Sequence, residues 1–431
     1  MALVTFGIRI AGAALAYLSQ AVLARWMGAH DYGVFSVVWT LALVLGLLAC
    51  LGFSASPGRF VPQHAGEPDQ RRLRGFLELS RLIALAAACV LTLVGLEVLI
   101  RARGSVDPAY VWPAAFALLA VPLFALTAVQ DAIARSYDMP ALGLLPGFIF
   151  RPLLLLLLLL PLVATGHVVT ATLTAAAALA ASLLVTAYQA RQLSRALKTR
   201  VAPGPASYDT RLWLRVSLPL LMVEGFLQLL SSADVVMVSF WRPPDEVAVY
   251  FAAAKTLALV QFVHFAVRAA SAHRFAALAS AADPAALSHY ALQASRWTFW
   301  PSLAAGLCLV AAAPLLLWLF GPEFRSGAPL VAVLLVGILV RASLGPVDAL
   351  LSMSGHQMAC AAVYGAVFSL NVALNALLIP SHGLLGAATA TALAVVAETV
   401  ALAVLTWRRL GFVPFALLPL PATAPRGPHA G

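Results

Sequence analysis

Charged residues are scarce in this chain of 431 residues. Asp, Glu, Lys and Arg make up 10% of it, whereas 62% of the residues are hydrophobic and the mean hydropathy is +0.94. A soluble protein of this size cannot cover its surface with so few polar groups. Apolar stretches of about 20 residues, long enough to cross the roughly 30 Å hydrocarbon core as helices, run almost end to end. The sequence therefore predicts an all-α membrane protein.

Sequence motifs of catalysis are also missing. The chain has no GxxxxGK phosphate-binding loop and no HExxH, CxxC or GxSxG sequence. Its four cysteines lie in apolar segments without shared spacing, which is typical of small core residues rather than of a disulfide or a metal site. A membrane enzyme such as a glycosyltransferase, a polymerase or a ligase would need a large loop with catalytic acids, and every loop outside the middle of the chain is short. We therefore expect no enzymatic activity, no cofactor and no metal.

About twelve transmembrane helices, here called spans 1 to 12, follow from the hydropathy. They are Leu3–Leu23, Phe35–Pro57, Phe76–Ile100, Tyr110–Ile133, Leu144–Val163, Val168–Gln189, Leu214–Phe240, Ala248–Ala270, Thr298–Phe320, Leu330–Met353, Cys360–Pro380 and Leu384–Trp407. Lys and Arg concentrate in the loops on the side of the N-terminus, so the positive-inside rule places both chain ends in the cytoplasm. The formal net charge of +10 then reflects topology and contact with anionic lipid headgroups, and it requires no nucleic-acid partner.

The two halves of the chain are related. The longest polar interruption, Ala190–Tyr208, leaves six spans on either side, and the segments Ser19–Val44 and Ser232–Val260 share a pattern that aligns Phe35 with Tyr250. This repeat predicts two pseudo-symmetric six-helix lobes around a central cavity, related by an axis along the membrane normal. The expected domains are an N-terminal lobe at residues 1–200, a C-terminal lobe at 201–410 and a disordered cytoplasmic tail at 411–431.

Five segments point to a family. They are Arg9–Ser36 (RIAGAALAYLSQAVLARWMGAHDYGVFS), Gly58–His64 (GRFVPQH), Leu319–Gly337 (LFGPEFRSGAPLVAVLLVG), Leu350–Gln357 (LLSMSGHQ) and Leu378–Ala394 (LIPSHGLLGAATATALA). They resemble the polysaccharide and oligosaccharide flippases of the multidrug/oligosaccharidyl-lipid/polysaccharide exporter superfamily, and the resemblance extends from Arg9 to about Trp407. Many members have fourteen helices, whereas twelve are counted here, and the chain begins almost directly on span 1.

The resemblance implies a MATE-like fold and a flippase function. Such a protein moves polyprenyl-diphosphate-linked oligosaccharide from the cytoplasmic to the periplasmic leaflet by alternating access, for O-antigen (lipopolysaccharide), exopolysaccharide or capsule biosynthesis. Its location is the bacterial inner membrane, and its partners are the lipid-linked oligosaccharide, membrane lipids and other proteins of polysaccharide assembly. A drug or cation antiporter of the same superfamily is the alternative. That protein would need an acid-rich, aromatic-lined cavity, whereas arginines are as frequent as acids in these spans.

Ionisable residues inside the spans are costly, and each is a functional hypothesis. Span 1 places Arg9 and Gln20 on one face with small residues, which suits a cavity wall; alternatively, Arg9 snorkels to the headgroups. Span 7 carries Glu224, Gln228 and Asp234 on one wide face.

Span 8 carries polar residues that could face those of span 7. They are Lys255, Gln261, His264 and Arg268. Pairing about the turn between spans 7 and 8 predicts a ladder whose rungs are Asp234–Lys255, Gln228–Gln261 and Glu224–His264, with Arg268 one turn deeper. The ladder either lines the cavity or simply locks the two helices together, and His264 alone is more typical of a packing residue than of a proton carrier.

Further polar residues lie in the later spans. Arg341 and Asp348 share a face of span 10, and Tyr364, Asn371 and Asn375 share a face of span 11. We interpret Arg9, Arg268 and Arg341 as candidates for the diphosphate, because guanidinium groups bind phosphate in bidentate fashion. Candidates for the sugar hydroxyl groups are Gln20, Gln228, Tyr364, Asn371 and Asn375.

Three further hypotheses concern charges near the cytoplasmic side. The internal repeat aligns Arg9 with Glu224, so these residues could form a gate that closes the cavity to the cytoplasm; the alternative keeps Glu224 with His264 or Arg268 in its own lobe. Asp131 could pair with Arg151 or Arg135, and we interpret that trio as structural. The clusters at residues 71–74 and 191–200 are interpreted as topology determinants, or else as sites that recruit the lipid diphosphate.

Overall fold

The computed structural model describes residues 2–66, 70–281 and 283–419, with the backbone alone for residues 2–6, 9 and 10. Fourteen α-helices are present in this part of the chain. They are α1 (Ala2–Ala49), α2 (Pro57–Ala65), α3 (Arg71–Arg101), α4 (Pro108–Ser136), α5 (Pro140–Leu145), α6 (Arg151–Ala164), α7 (Ala171–Lys198), α8 (Thr210–Leu230), α9 (Ala233–Trp241), α10 (Pro244–Ser280), α11 (Pro284–Trp318), α12 (Ala328–Leu344), α13 (Val347–Met353) and α14 (Gln357–Leu410). A π-helical turn (Pro146–Phe150) joins α5 to α6, and a 3₁₀ turn (Pro322–Gly327) precedes α12.

The prediction of an all-α membrane protein is confirmed. Within the described ranges, ten helical stretches are long and apolar enough to cross a membrane. Two of them contain two spans each, because α1 is interrupted at Gly28 (φ 78°) and α14 at Gly383 (φ 59°). Glycine adopts these positive φ values without the steric cost of a Cβ atom. Counting α1 and α14 twice gives the twelve predicted spans.

The surface of the helices suits lipid rather than water. On α3, Leu93 is 67% exposed and Ile100 is 68% exposed. A helix of 31 residues is about 46 Å long, which exceeds the roughly 30 Å hydrocarbon core. Large apolar side chains on such a helix would be unfavourable in water and are favourable against acyl chains.

The chain forms two compact units. Unit 1 comprises Met1–Thr256 and Pro314–Ala328, and unit 2 comprises Leu257–Ala313 and Pro329–Gly431. The division therefore falls inside α10 and α11, and not at residue 200. The two six-helix lobes drawn from the internal repeat stay a prediction.

Aromatic side chains form part of the core of unit 1. Trp213 of α8 is fully buried, and its ring lies 5.4 Å from the ring of Phe76 on α3. The ring of Phe60 on α2 lies 5.1 Å from Phe76, and Phe53 is fully buried in the same cluster. Helix α8, which follows the middle linker, is therefore anchored to the helices that precede it.

The middle linker is held along the start of α3. Arg74 donates hydrogen bonds to the carbonyl oxygens of Ala202 (2.7 Å) and Pro205 (2.8 Å), and the Ser207 amide donates to the Arg71 carbonyl. Arg200 donates to the carbonyl oxygen of Tyr137 at 2.6 Å. Besides any effect on topology, two of the clustered arginines thus fix the linker.

The C-terminal segment is tied to unit 2. Arg296 of α11 donates to the carbonyl oxygens of Ala416 (3.2 Å) and Leu418 (2.7 Å), and the Ala416 amide donates to the Ser343 carbonyl. The expectation of disorder is therefore wrong for residues 411–419, because Arg296 supplies donors for the backbone there. Residues 420–431 lie outside the described part of the chain.

Candidate functional site

Arg268 of α10 meets an acidic partner within unit 2. Its Nε atom lies 2.7 Å from Oδ2 of Asp348, in the first turn of α13. The Nε2 atom of His264, one turn earlier on α10, lies 4.0 Å from Oδ1 of the same carboxylate. A carboxylate offsets much of the cost of holding a guanidinium group in the membrane, which explains how Arg268 is accommodated there.

A second ion pair joins α12 to α14. Arg341 donates from a terminal nitrogen to Oε2 of Glu398, whose side chain is only 3% exposed. Arg341 also interacts electrostatically with Asp348 and Tyr364, so the two ion pairs belong to one network. Glu398 was not among the candidate site residues predicted from the sequence. Its position inside the apolar run AVVAETVAL was the signal for a membrane-embedded acid.

The predicted common face of Arg341 and Asp348 is wrong. Helix α12 ends at Leu344 and α13 begins at Val347, because Gly345 adopts φ 66° and Pro346 follows it. The two side chains therefore leave different helices. Each is bound to a partner elsewhere, Arg341 to Glu398 and Asp348 to Arg268.

The polar face predicted on span 11 is buried in unit 2. Asn371 and Asn375 are fully buried, and Tyr364 is 2% exposed. Asn375 donates from Nδ2 to the backbone carbonyl oxygen of Asn371 (2.9 Å) and to its Oδ1 atom (3.1 Å). Within the described residues, Nδ2 of Asn371 and Oδ1 of Asn375 have no partner, so each amide keeps unused hydrogen-bonding capacity.

The expected direct ion pair between Asp234 and Lys255 is wrong. The buried Asp234 carboxylate accepts a hydrogen bond from the Tyr250 hydroxyl at 2.7 Å and another from the Val235 amide. The Lys255 ammonium lies over the ring of Phe251, 4.9 Å from its centroid, and it acts on Asp234 only through a longer-range electrostatic interaction. The physical reason is that Tyr250, buried and close to Asp234, satisfies the carboxylate first.

The three predicted residues of span 7 lie on two helices. Helix α8 ends at Leu230 and α9 begins at Ala233, so Asp234 does not continue the face of Glu224 and Gln228. Gln228 donates to Oγ of Ser232 across this break at 2.9 Å, and Glu224 accepts a hydrogen bond from the Ser54 hydroxyl at 2.9 Å. Within unit 2, His264 lies 4.0 Å from Asp348. The rungs Gln228–Gln261 and Glu224–His264 stay predictions.

The remaining predicted site residues are Gln20, Gln261 and Arg9. Gln20 accepts a hydrogen bond from the Tyr32 hydroxyl at 3.0 Å within α1. Gln261 is half-buried on α10. Arg9 belongs to α1, but its side chain lies outside the described residues, so its pairing with Glu224 stays a prediction.

A cluster within unit 1, here called the outer closure, joins α1 to later helices at the predicted periplasmic side. The ring of Tyr32 lies 5.9 Å from Phe251, 6.2 Å from Phe320 and 6.1 Å from Phe324. The Tyr17 hydroxyl lies 3.3 Å from Oγ1 of Thr256. These contacts bring the start of the chain against residues of α10 and of the segment before α12.

Arg25 strengthens the outer closure with charge. Its guanidinium donates to the carbonyl oxygens of Trp318 (2.8 Å) and Leu319 (2.7 Å), and it lies 4.7 Å from the centroid of the Trp318 ring. These carbonyl groups are at the C-terminus of α11, where the helix dipole favours a cation. Sequence reasoning missed Arg25, because a loop arginine outside the predicted spans gives no sign of its partner.

The described part of the chain contains no group of three His, Cys, Asp or Glu residues placed to hold an ion. What the site offers is guanidinium, carboxylate, imidazole and amide groups inside a membrane-spanning helical bundle. Such groups can bind anionic and hydroxyl-rich molecules.

The fold is that of the transporter superfamily which contains the MATE proteins. An inward-facing multidrug-resistance MATE transporter of the MOP superfamily matches with a TM-score of 0.75 at 15% identity, covering 93% of this chain and 94% of that one. The lipid II flippase MurJ in an inward closed conformation matches with a TM-score of 0.72 at 13% identity, covering 94% and 87% respectively. Identities this low show the fold alone.

The sequence comparisons show the family. The profile of the family described as "Polysaccharide biosynthesis protein" matches residues 2–272, and the MatE profile matches residues 219–377. The chain belongs to the polysaccharide biosynthesis protein family and is a multi-pass membrane protein with a MATE-like fold. The EPS I polysaccharide export inner membrane protein EpsE of Ralstonia nicotianae is 33% identical over 101 residues, and this match spans 23% of each chain.

Proposed function

We propose that this protein is an inner-membrane flippase for polyprenyl-diphosphate-linked oligosaccharide. It carries the headgroup from the cytoplasmic to the periplasmic leaflet by alternating access. The observation that supports this most is the network of Arg268, Asp348, Arg341 and Glu398, which holds two guanidinium groups ready inside a membrane transporter of a polysaccharide family.

The carboxylates keep these cations stable while no substrate is bound. Arg268 retains an accessible side chain, 42% exposed, although its Nε atom contacts Asp348. An incoming diphosphate offers several anionic oxygens to the same guanidinium and can form a bidentate pair, which competes with the single carboxylate contact. Asp348 and Glu398 then release the cation to the substrate and take it back when the substrate leaves.

Alternating access requires a closure at each side of the membrane. The outer closure is built from an aromatic cluster and from the contact of Arg25 with the end of α11. In the predicted orientation it seals the periplasmic side, and it must open for release. The Arg9–Glu224 gate is the proposed counterpart on the cytoplasmic side.

A deletion strain tests the function. We expect loss of one surface glycan and accumulation of its lipid-linked repeat unit on the cytoplasmic face. The wild-type gene and the exposed-loop control Arg103→Gln should restore the glycan, whereas Arg268→Gln should not. Accumulation on the periplasmic face would point instead to a polymerase or ligase defect, and unchanged glycans with altered drug sensitivity would point to an antiporter.

A further inference from the structure

A cavity of about 260 Å³ lies within unit 1 between the second half of α1, α4 and the π-helical turn before α6. Among its lining residues are Leu43, Leu47, Phe124, Asp131, Phe148 and Arg151. Leu43 and Phe148 are exposed, so the cavity opens to the surface of the unit. Asp131 is one to two turns before the end of α4, which places the cavity in the predicted cytoplasmic half of the membrane.

Arg151 has no hydrogen-bond acceptor among the described residues. Its Nε atom is fully buried and unpaired, and the nearest interaction of its guanidinium is with the ring of Phe124, at 4.9 Å from the centroid. By contrast, the guanidinium groups of Arg268 and Arg341 are held by carboxylates. A guanidinium that lines a membrane-embedded cavity without a protein acceptor has unused donors, which a bound molecule with hydrogen-bond acceptors can satisfy.

Asp131 is held in place but not neutralised by Arg151. Its Oδ1 atom accepts a hydrogen bond of 2.5 Å from Nε2 of Gln189, which also donates to the Leu142 carbonyl. The two charged groups interact electrostatically, yet they form no ion pair within 4.0 Å in the described structure. A purely structural role does not explain this pair. The Asp131 carboxylate is a fixed acceptor and the Arg151 guanidinium is an unused donor, and both line the cavity.

The charges on the cavity wall distinguish between ligand classes. A phosphate would be attracted by Arg151 and repelled by Asp131, which line the same cavity, so the two Coulomb energies oppose each other. A neutral ring with several hydroxyl groups donates to the carboxylate and accepts from the guanidinium without that repulsion. The apolar walls, including the rings of Phe124 and Phe148, suit the C–H faces of such a ring.

We propose that this cavity is a binding subsite for one neutral monosaccharide ring, with Asp131 as the acceptor and Arg151 as the donor. Resting on the proposed function, the subsite would hold one sugar of the lipid-linked oligosaccharide while the diphosphate is bound elsewhere. The subsite is specific for hydroxyl groups and not for charge.

Protection of a cysteine in the cavity tests the proposal without any transport measurement. In a chain whose native cysteines are replaced by alanine, Leu47→Cys places a thiol on the cavity wall, and Leu41→Cys provides an exposed control on the same helix outside the cavity. Glucose or galactose in the millimolar range should slow maleimide labelling of Leu47→Cys but not of Leu41→Cys, while inorganic phosphate should protect neither.

Variants of Asp131 and Arg151 test whether these two residues cause the protection by sugar. Asp131→Asn and Arg151→Gln should each weaken sugar protection by about tenfold or more, because each loses a charge-assisted hydrogen bond. Arg151→Lys serves as a milder variant, since it keeps the charge but loses the planar donor fork. Monodisperse protein after gel filtration confirms the fold of each variant.

The outcomes separate this subsite from the proposed function. Protection by phosphate but not by sugar, equal protection of both cysteines, or no protection at all would each overturn the subsite. If sugar protects and the charged variants abolish protection, the subsite stands. That result would hold even if the deletion strain kept every surface glycan, an outcome that counts against the flippase alone.

Discussion

At the residue scale, the Arg341–Glu398 pair is the contact whose loss should cost most. Glu398→Gln leaves a guanidinium in the bundle without its counter-ion, and breaking a buried ion pair from one side costs about 3–5 kcal/mol. We expect a clear fall in thermal stability in detergent. Glu97→Gln is the matched control, because Glu97 pairs with Arg101 on an exposed helix end, where such pairs contribute at most about 1 kcal/mol.

The double variant Arg341→Met/Glu398→Met tests whether the unpaired guanidinium causes the loss of stability. Removing both charges avoids the unpaired cation, so this protein should be more stable than Glu398→Gln alone. If the loss of stability in the double variant equals the sum of the losses in Arg341→Met and Glu398→Met, the two side chains do not interact.

Tyr250→Phe tests the partner of Asp234. The hydroxyl donates to a buried carboxylate at 2.7 Å, and its loss should destabilise the protein by about 1–3 kcal/mol. The control is Tyr188→Phe, because the Tyr188 ring is 45% exposed and lies against Phe150. Equal melting temperatures for the two variants in detergent would contradict the role assigned to Tyr250.

Sequence reasoning identified most residues of the charge network but few of their partners. Arg268 and Arg341 stood out because ionisable groups are rare in apolar spans. Helical spacing could not reveal that Asp348 belongs to a separate short helix or that Glu398 reaches Arg341 from α14, since partners on different helices depend on packing. The same limit applied to Asp234, whose partner Tyr250 had been noticed only as part of the repeat.

At the scale of elements, helix breaks explain where the predicted faces failed. Spans 7 and 10 are continuous in hydropathy, yet the structure divides each into two helices, at Ser231–Ser232 and at Gly345–Pro346. A break of two residues rotates every later side chain relative to the earlier face. Hydropathy alone does not register such a break, because the residues on both sides remain apolar.

Gly33→Ala tests the closeness of α1 to α10 at the outer closure. A Cβ atom at Gly33 would lie 1.9 Å from the carbonyl oxygen of Pro244, so the two backbones would have to move apart. Overpacking of this kind costs about 1–3 kcal/mol. We expect a lower melting temperature in detergent and faster labelling from the outside of a cysteine placed at Leu319.

Gly58→Ala is the control for that substitution. It also lies in a helix, but a Cβ atom there would meet no heavy atom within 4 Å. Its melting temperature and labelling rate should match those of the unchanged protein. Identical behaviour of Gly33→Ala and Gly58→Ala would show that the outer closure tolerates separation.

At the scale of the whole molecule, the fold was predictable because hydropathy and span length are properties of local sequence. The twelve spans, the MATE-like fold and the family all followed from them and from five short segments. The compact units were not predictable, because their boundary passes through α10 and α11 and reflects contacts between distant parts of the chain.

Membrane potential should drive the proposed transport. An inside-negative potential favours outward movement of an anion by about 2.3 kcal/mol per charge per 100 mV. In proteoliposomes, imposing this potential should speed translocation of a lipid-linked diphosphate, and collapsing it should slow translocation. Rates that ignore the potential but respond to a pH or sodium gradient would replace this mechanism with electroneutral coupling.

The hydrogen-bonded linker has a consequence for how the chain can be divided. Arg74 donates hydrogen bonds to the carbonyl oxygens of Ala202 and Pro205, on either side of Gly204, and Trp213 is buried against Phe76. Because these contacts hold α8 in place, an unbroken peptide chain at Gly204 should contribute little to its position. Two separately translated fragments, residues 1–203 and 204–431, should assemble in one membrane, co-purify and restore the glycan of a deletion strain. The two fragments would then form a non-covalent heterodimer, and one fragment could be replaced by the corresponding fragment of a related protein.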